Sequence, residues 1–229
     1  MKPQEFTETI KKHELFVNGM AGGSRADLRE GDFAKLKYAY LNLRGASLAG
    51  VDFSGAELAG ADFSHADLFG ANFEGADVTE ANFEKADLRD ARFGGARMSF
   101  ANLSAADLRQ LAEANLSECY LSGANLRGAN LAGANFTHGT LVLADLREAN
   151  LTAADLTRAD LSGADVSEGV LRAARLDGVI AVPIALRGAD GAETGQQRRT
   201  TFANADFAEA HLGAADLSEA DLTGAKLDH

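Results

Sequence analysis

A large apolar residue recurs at every fifth position along most of this chain, and this period constrains the fold more than any other feature. Residues 124–136 show the unit: Leu126, Leu131 and Phe136 each follow an asparagine directly and an alanine by two places. The chain contains 36 such units, with one break after Leu108 and a longer one after Leu176. Alanine stands two places before the apolar centre in 28 of the 36 units. Repetition this regular predicts a solenoid.

A period of five matches neither the amphipathic helix nor the alternating strand. It fits a short extended segment whose alanine and large apolar residue point inward while the Asp or Asn between them points outward. The two remaining positions then form a corner. Glycine is frequent at the second of these, as at Gly45 and Gly50, and it suits a turn that needs a positive φ. Extended segments joined by corners must coil.

Phenylalanines recur at intervals of four units, and this spacing predicts four faces in each coil. Carrying the register across the three extra residues after Leu108 places Leu116 on the first phenylalanine track. Nine coils stacked at the spacing of paired strands, about 4.8 Å, form a rod roughly 43 Å long. The expected inner ladder consists of Phe33, Phe53, Phe73, Phe93, Phe63, Phe83 and Phe136.

These units resemble those of the pentapeptide-repeat proteins, whose consensus is Ala-(Asp/Asn)-Leu-X-X. The resemblance covers residues 26–227 and rests on dozens of units in phase. It implies an all-β solenoid, a right-handed quadrilateral parallel β-helix of about nine coils. Because members of this family differ widely in role, the resemblance implies a fold and not a function.

Residues 1–24 are expected to form a capping helix and a linker. The segment 5–17 has no five-residue phase, and Phe6, Ile10, His13 and Val17 fall on one helical face. A β-helix with a bare end would expose apolar side chains and unpaired strand groups, so a cap is needed. Residues 25–229 form the second domain, the β-helix, interrupted by a small bulge at 109–113 and a long loop near 177–200.

The long loop is the candidate site for contact with a partner. Its first part is apolar and contains Pro183, which cannot donate a hydrogen bond to a strand ladder. The later part is rich in glycine and polar residues. Two interpretations stay open and are compatible: packing on the rod or over its far end, or direct contact with a partner. The candidate contact residues are Ile180, Val182, Pro183, Ile184, Leu186, Arg187, Arg198 and Arg199.

Composition argues against several functions. The net charge of −12 disfavours binding to nucleic acid or to anionic membranes, which require a basic surface. No apolar run is long enough to span a membrane and no signal peptide is recognisable, and the single cysteine favours a reducing cytoplasm. No histidine pair has the spacing of a zinc site, and Cys119 occupies an inward alanine position. We therefore expect no catalytic residue, metal or cofactor.

The sequence therefore predicts a non-catalytic protein-binding or structural scaffold whose partner is unknown. The alternative is an acidic DNA mimic that binds DNA gyrase, as family members that protect gyrase from quinolones do. Stacked carboxylates such as Asp67, Asp87 and Asp107 favour the alternative, whereas the free exchange of Asp for Asn in this position favours a structural hydrogen bond. The resemblance also predicts a homodimer through the C-terminal end.

Overall fold

The computed structural model describes residues 3–109, 116–188 and 191–227. Helix α1 spans Pro3–Val17, and two strands, β1 (Ile184–Arg187) and β2 (Glu193–Arg198), form an antiparallel pair. Almost all other residues belong to a coil that completes one turn every four units, since parallel bridges join positions four units apart, as Asp52 to Asn72. The fold is the right-handed quadrilateral β-helix with an N-terminal capping helix that the sequence predicts.

The four faces are numbered here by the large inward residue of the first coil: Leu28 for face 1, Phe33 for face 2, Tyr38 for face 3 and Leu43 for face 4. Each corner takes the number of the face before it. Across the first interruption the parallel bridge joins Arg97 to Tyr120, three positions more than the usual offset, so the insertion causes no loss of register. The bulge expected at 109–113 lies outside the described residues except for Arg109.

Hydrogen bonds between successive coils and within each corner explain why a unit of only five residues can form one face of the rod. The N–H of Leu43 donates to the Asp62 carbonyl of the next coil at 2.7 Å, and the Asp62 N–H donates back to the Leu41 carbonyl at 2.9 Å. At the corner, the Ala46 N–H donates to the Leu43 carbonyl at 3.0 Å. Gly45, the third residue of this turn, has a φ of 66°. This is the type II turn expected at the corners.

Alanines and large apolar residues fill the interior in alternating columns. All seven phenylalanines of the expected ladder lie in the core. Rings in successive coils contact each other, with centroids 4.9 Å apart for Phe73 and Phe93 and 5.0 Å apart for Phe63 and Phe83. Each face therefore contributes both strand hydrogen bonds and a continuous apolar stack.

Helix α1 covers the first coil with the face that the sequence indicates. Phe6, Ile10 and His13 are buried, whereas Val17 is half-buried. The rings of Phe6 and Phe33 lie 5.0 Å apart. The helix thus supplies the apolar cover that the end of the rod requires.

The second interruption begins later than the sequence indicates. The coil continues through Val179 and Ala181, which are fully buried, and leaves the rod only after Pro183. The bridge across the interruption joins Asp165 to Thr201, which shows that residues 184–199 are inserted between coil units. The last unit before the hairpin is difficult to recognise in the sequence because its order is reversed: Val179 stands in the alanine position and Ala181 at the centre.

Candidate functional site: a hairpin and an apolar strip

The β1–β2 hairpin leaves the rod at corner 3, and Thr200 fixes its base. Thr200 occupies an inward alanine position and is fully buried. Its Oγ1 accepts a hydrogen bond from the Gly163 N–H at 2.9 Å and donates to the Leu161 carbonyl at 3.1 Å. The hydroxyl therefore has both hydrogen-bond partners, and it joins the residue at which the chain re-enters the rod to corner 3 of the preceding coil.

Strand β1 packs sideways on corner 3. Cγ2 of Ile184 and Cδ2 of Leu143 approach Gly163 so closely that a Cβ built there would lie 2.5 Å and 3.0 Å from them. Gly163 also has a φ of 68°, which disfavours any side chain at this position. The absence of a side chain at Gly163 thus creates the seat for β1, which rests against the side of the rod.

The outer part of the hairpin is polar and exposed. All six residues of β2 are exposed, while β1 alternates between half-buried and exposed residues. The Thr194 hydroxyl donates to the Leu186 carbonyl at 2.7 Å, and Arg187 lies 3.3 Å from Glu193. The side chain of Arg198 forms no ion pair with any described residue. The hairpin therefore presents a cationic side chain that no described carboxylate neutralises, on a molecule with a net charge of −12.

The candidate contact residues all lie on one side of the rod, although not all lie in the hairpin. Ile180 projects from face 3, Val182 and Pro183 form the corner, and Ile184, Leu186 and Arg187 belong to β1. Arg198 ends β2, and Arg199 follows it at 3.6 Å from Glu219 of the last coil.

Exposed apolar side chains occur along face 3 and corner 3 towards the hairpin, with charged residues such as Glu57 and Asp77 between them, and we call this set the apolar strip. Five of the nine exposed large hydrophobic residues in the described part of the chain belong to it. Another, Phe69 at corner 1, is 40% exposed and lies 5.6 Å from the guanidinium of Arg89. The strip consists of Tyr38 (43% exposed), Tyr40 (77%), Phe100 (66%), Tyr120 (53%) and Ile180 (44%). Such a concentration of apolar side chains on one side of the rod marks an interaction site more often than isolated residues do.

On all faces of the rod, many of the outward Asp and Asn side chains accept a hydrogen bond from the backbone of the following corner. The Oδ1 atom of the outward residue accepts a hydrogen bond from the N–H two residues later, as Asp52 does from Ser54 at 2.8 Å. Where an arginine occupies that later position it also binds the carboxylate: Arg89 Nη2 lies 2.6 Å from Asp87 Oδ2. This hydrogen bond holds the pKa of the Asp87 carboxyl below its usual value. The same Asp–Arg pairing occurs at Asp27–Arg29, Asp107–Arg109 and Asp145–Arg147.

The C-terminal end of the described rod is incompletely covered. The inward leucines of the last coil, Leu212, Leu217 and Leu222, are only half-buried, and Leu227 is 51% exposed. By contrast, central residues such as Leu146 are fully buried. Because β1 rests against corner 3, the hairpin does not cover these leucines, which we call the open end.

The described residues contain no cluster of three or more His, Cys, Asp or Glu side chains arranged to hold a metal ion. Burial raises the pKa of the Cys119 thiol to about 12, which suppresses the reactive thiolate. Within the ranges that the structure describes, no helix has the length and apolar character of a membrane span.

Sequence reasoning missed several residues of this site. Thr200 is the one threonine in an inward alanine position, and this departure from the repeat could have identified it. Phe100 and Leu143 occupy the second corner position, where polar residues and glycine prevail, and Tyr120 replaces an outward Asp or Asn. Large apolar residues at positions of the repeat that face outward could therefore have identified this part of the site.

Comparison with known proteins agrees with this architecture. The family model for pentapeptide repeats matches in eight copies over residues 41–75, 71–110, 110–147, 144–180, 154–190 and 198–229. Among solved structures, HetL, a pentapeptide repeat protein involved in heterocyst differentiation regulation from the cyanobacterium Nostoc sp. strain PCC 7120, is 28% identical. The match covers 93% of this chain and 92% of HetL, with a TM-score of 0.38.

QnrB1, a plasmid-mediated fluoroquinolone resistance protein whose structure was solved in a trypsin-treated form, is 23% identical to this chain. The match covers 89% of this chain and 90% of QnrB1 with a TM-score of 0.55. This likeness concerns the fold. No match was found among curated proteins.

Proposed function

Because this chain belongs to the pentapeptide-repeat family, we propose that it acts as a non-catalytic scaffold that binds a protein partner through the β1–β2 hairpin and the apolar strip. The observation that carries the proposal is the position of the two features. The hairpin leaves the rod at corner 3, the same corner that carries Tyr40 and Phe100. A rigid rod that presents aromatic side chains beside an exposed loop is suited to partner recognition.

The chemistry of this surface favours a protein partner. Aromatic residues and arginine are the side chains that dominate protein interfaces, and Tyr120, Phe100 and Arg198 supply them on one side. Four charges in the first coils of face 3 form two ion pairs, since Lys37 binds Glu57 at 2.5 Å and Arg97 lies 3.8 Å from Asp77. A partner that binds beside Phe100 and Tyr120 therefore meets apolar groups next to charges that are already paired. We retain the cytoplasm as the predicted location, on the basis of the single cysteine.

Deletion of residues 184–199 is the sharpest test of the hairpin. It joins Pro183 to Thr200 and thereby restores an uninterrupted five-residue phase, so the rod should keep its thermal midpoint. The deletion variant and the parent chain are used as baits for quantitative capture from cells, with a Phe100→Ser, Tyr120→Ser variant and a Phe69→Ser control. We expect the deletion and the double variant to lose a specific protein that the control retains. Equal capture by all four chains would refute the proposed surface.

A homodimer through the open end is the second part of the proposal. Within the described residues the N–H groups of Leu217 and Leu222 donate no backbone hydrogen bond, and together with the half-buried leucines they form a sheet edge that pairs readily with another chain. In light scattering at increasing concentration we expect the mass of a dimer, and Leu222→Glu should reduce it to a monomer while Tyr120→Glu should not. A monomeric parent chain over the whole concentration range would exclude the dimer.

The DNA-mimicking, gyrase-binding function is less well supported. A mimic requires a regular array of negative charge, but arginines at positions such as Arg89 and Arg147 neutralise their neighbouring carboxylates. The net charge of −12 is the remaining argument for it. A supercoiling assay with purified gyrase separates the two functions, because inhibition or protection from a quinolone at micromolar concentration would favour the mimic over the scaffold.

A further inference from the structure

His13 lies fully buried where α1 meets the first coil. Its Nδ1 accepts a hydrogen bond from the Ala26 N–H, with the two nitrogens 3.1 Å apart. Only an unprotonated Nδ1 can accept, so the docked imidazole is neutral and carries its proton on Nε2. Nε2 is buried and makes no hydrogen bond of ordinary geometry within the described residues. The helix is thus held by a hydrogen bond that exists in one protonation state.

The groups around His13 come from three elements. Burial lowers the pKa of His13 below its usual value. The backbone of Arg44 at corner 4 opposes this shift, the charge of Arg25 at the start of the β-helix reinforces it, and the charge of Glu14 on α1 opposes it. The Arg25 guanidinium donates to the carbonyls of Gly45 and Ala46, which keeps its charge beside the helix. A positive charge on the His13 imidazole is therefore disfavoured, because the side chain is buried and the charge of Arg25 lies nearby.

We propose that His13 is an acid-sensitive latch, so that protonation of its imidazole releases α1 from the first coil. Protonated Nδ1 is a hydrogen-bond donor and would face the Ala26 N–H, which is also a donor. The same proton would place a charge in a dry site next to Arg25. Release of α1 removes both penalties, and it uncovers Phe6, Ile10 and the part of the first coil around Phe33.

The direction of the pH effect follows from linkage. In the docked state the pKa of His13 is below 6.5, whereas in the released state it returns towards about 6.5. Above this pH the imidazole is neutral in both states and docking has its full strength. As the pH falls below 6.5, only the released state binds the proton, so the docking equilibrium weakens by at most about tenfold for each pH unit. The latch is closed in neutral surroundings and opens in acidic ones.

Amide hydrogen exchange and histidine titration by NMR test the latch in the full chain between pH 8 and pH 5. Protection of the Ile10 and Ala26 amides, corrected for the intrinsic effect of pH on exchange, should fall below pH 6.5 by up to about tenfold per unit. Protection of Leu146 in the middle of the rod should stay constant. His13→Asn places an amide oxygen where Nδ1 lies, so its α1 protection should not depend on pH. The exposed His65→Asn control should behave like the parent chain.

Three results would overturn the proposal: α1 protection that does not change with pH in the parent chain, a parent-like pH dependence in His13→Asn, or a His13 pKa at or above 6.5 in the docked chain. If His13→Asn fails to dock at any pH, Phe6→Ala provides an independent reading. This variant loosens α1 without altering the imidazole, so the pKa of His13 should rise towards 6.5. An unchanged His13 pKa in Phe6→Ala would also refute the latch.

Discussion

Replacement of Phe73 by alanine should remove the centre of the aromatic stack. The Phe73 ring is fully buried, and its centroid lies 5.4 Å from that of Phe53 and 4.9 Å from that of Phe93. The coil cannot collapse into the space, because the Phe73 N–H is hydrogen-bonded to the Arg92 carbonyl at 2.7 Å and the Asn72 N–H to the Val51 carbonyl at 2.8 Å. A cavity that persists costs more than one that closes, so we expect a loss near the middle of the usual range for Phe→Ala, about 4 kcal/mol.

Phe69→Ala is the matched control for this measurement. Phe69 lies one unit earlier, at corner 1, where it is 40% exposed and contacts the Arg89 guanidinium. Loss of that exposed cation–π contact should cost less than about 1 kcal/mol. Urea titration followed by far-ultraviolet circular dichroism gives the free energies of unfolding of both variants. Equal losses for Phe73→Ala and Phe69→Ala would refute the inward assignment of the phenylalanine ladder.

Three further predictions concern single positions. Leu146→Asp places an unpaired carboxylate in a fully buried position and should unfold the rod, so a soluble variant that melts cooperatively would contradict the inward phase. Asp62→Asn keeps the oxygen that accepts the Ser64 N–H at 2.9 Å and should be nearly neutral, whereas Asp62→Ala should cost about 1–3 kcal/mol; thermal melting distinguishes the two. Cys119 should resist an aromatic disulfide reagent at pH 8 until the chain is unfolded, because burial raises its pKa to about 12; rapid labelling of the folded protein would contradict this burial.

The repeat made the architecture predictable from the sequence. The residue types within each unit indicate which positions face inward and which face outward. The four-unit interval between Phe53 and Phe73 gives the number of faces, because residues stacked in successive coils share one environment. The face of α1 was predictable for the same kind of reason, since Phe6, Ile10 and His13 follow a helical period.

The hairpin and the residues around it were less predictable. Pro183 signals an interruption, but the unit of Val179 and Ala181 reverses the large and small residues and so conceals the true start. Strand β1 can pack on corner 3 because Gly163 has no side chain, but in the sequence Gly163 is indistinguishable from the many other corner glycines. Contacts between inserted segments and the rod depend on tertiary packing, which a local pattern does not encode.

Cysteine cross-linking tests the stacking of positions four units apart most directly. Thr140 and Asp160 are bridge partners in adjacent coils of face 3. Parallel neighbours lie about 4.8 Å apart, which falls within the range of about 4.4–6.8 Å between the Cα atoms of a disulfide. In a Cys119→Ala background, mild oxidation should join Thr140→Cys to Asp160→Cys but not to Asp155→Cys, which lies on face 2. A disulfide that forms equally well across three units, or fails across four, would contradict the four-sided coil.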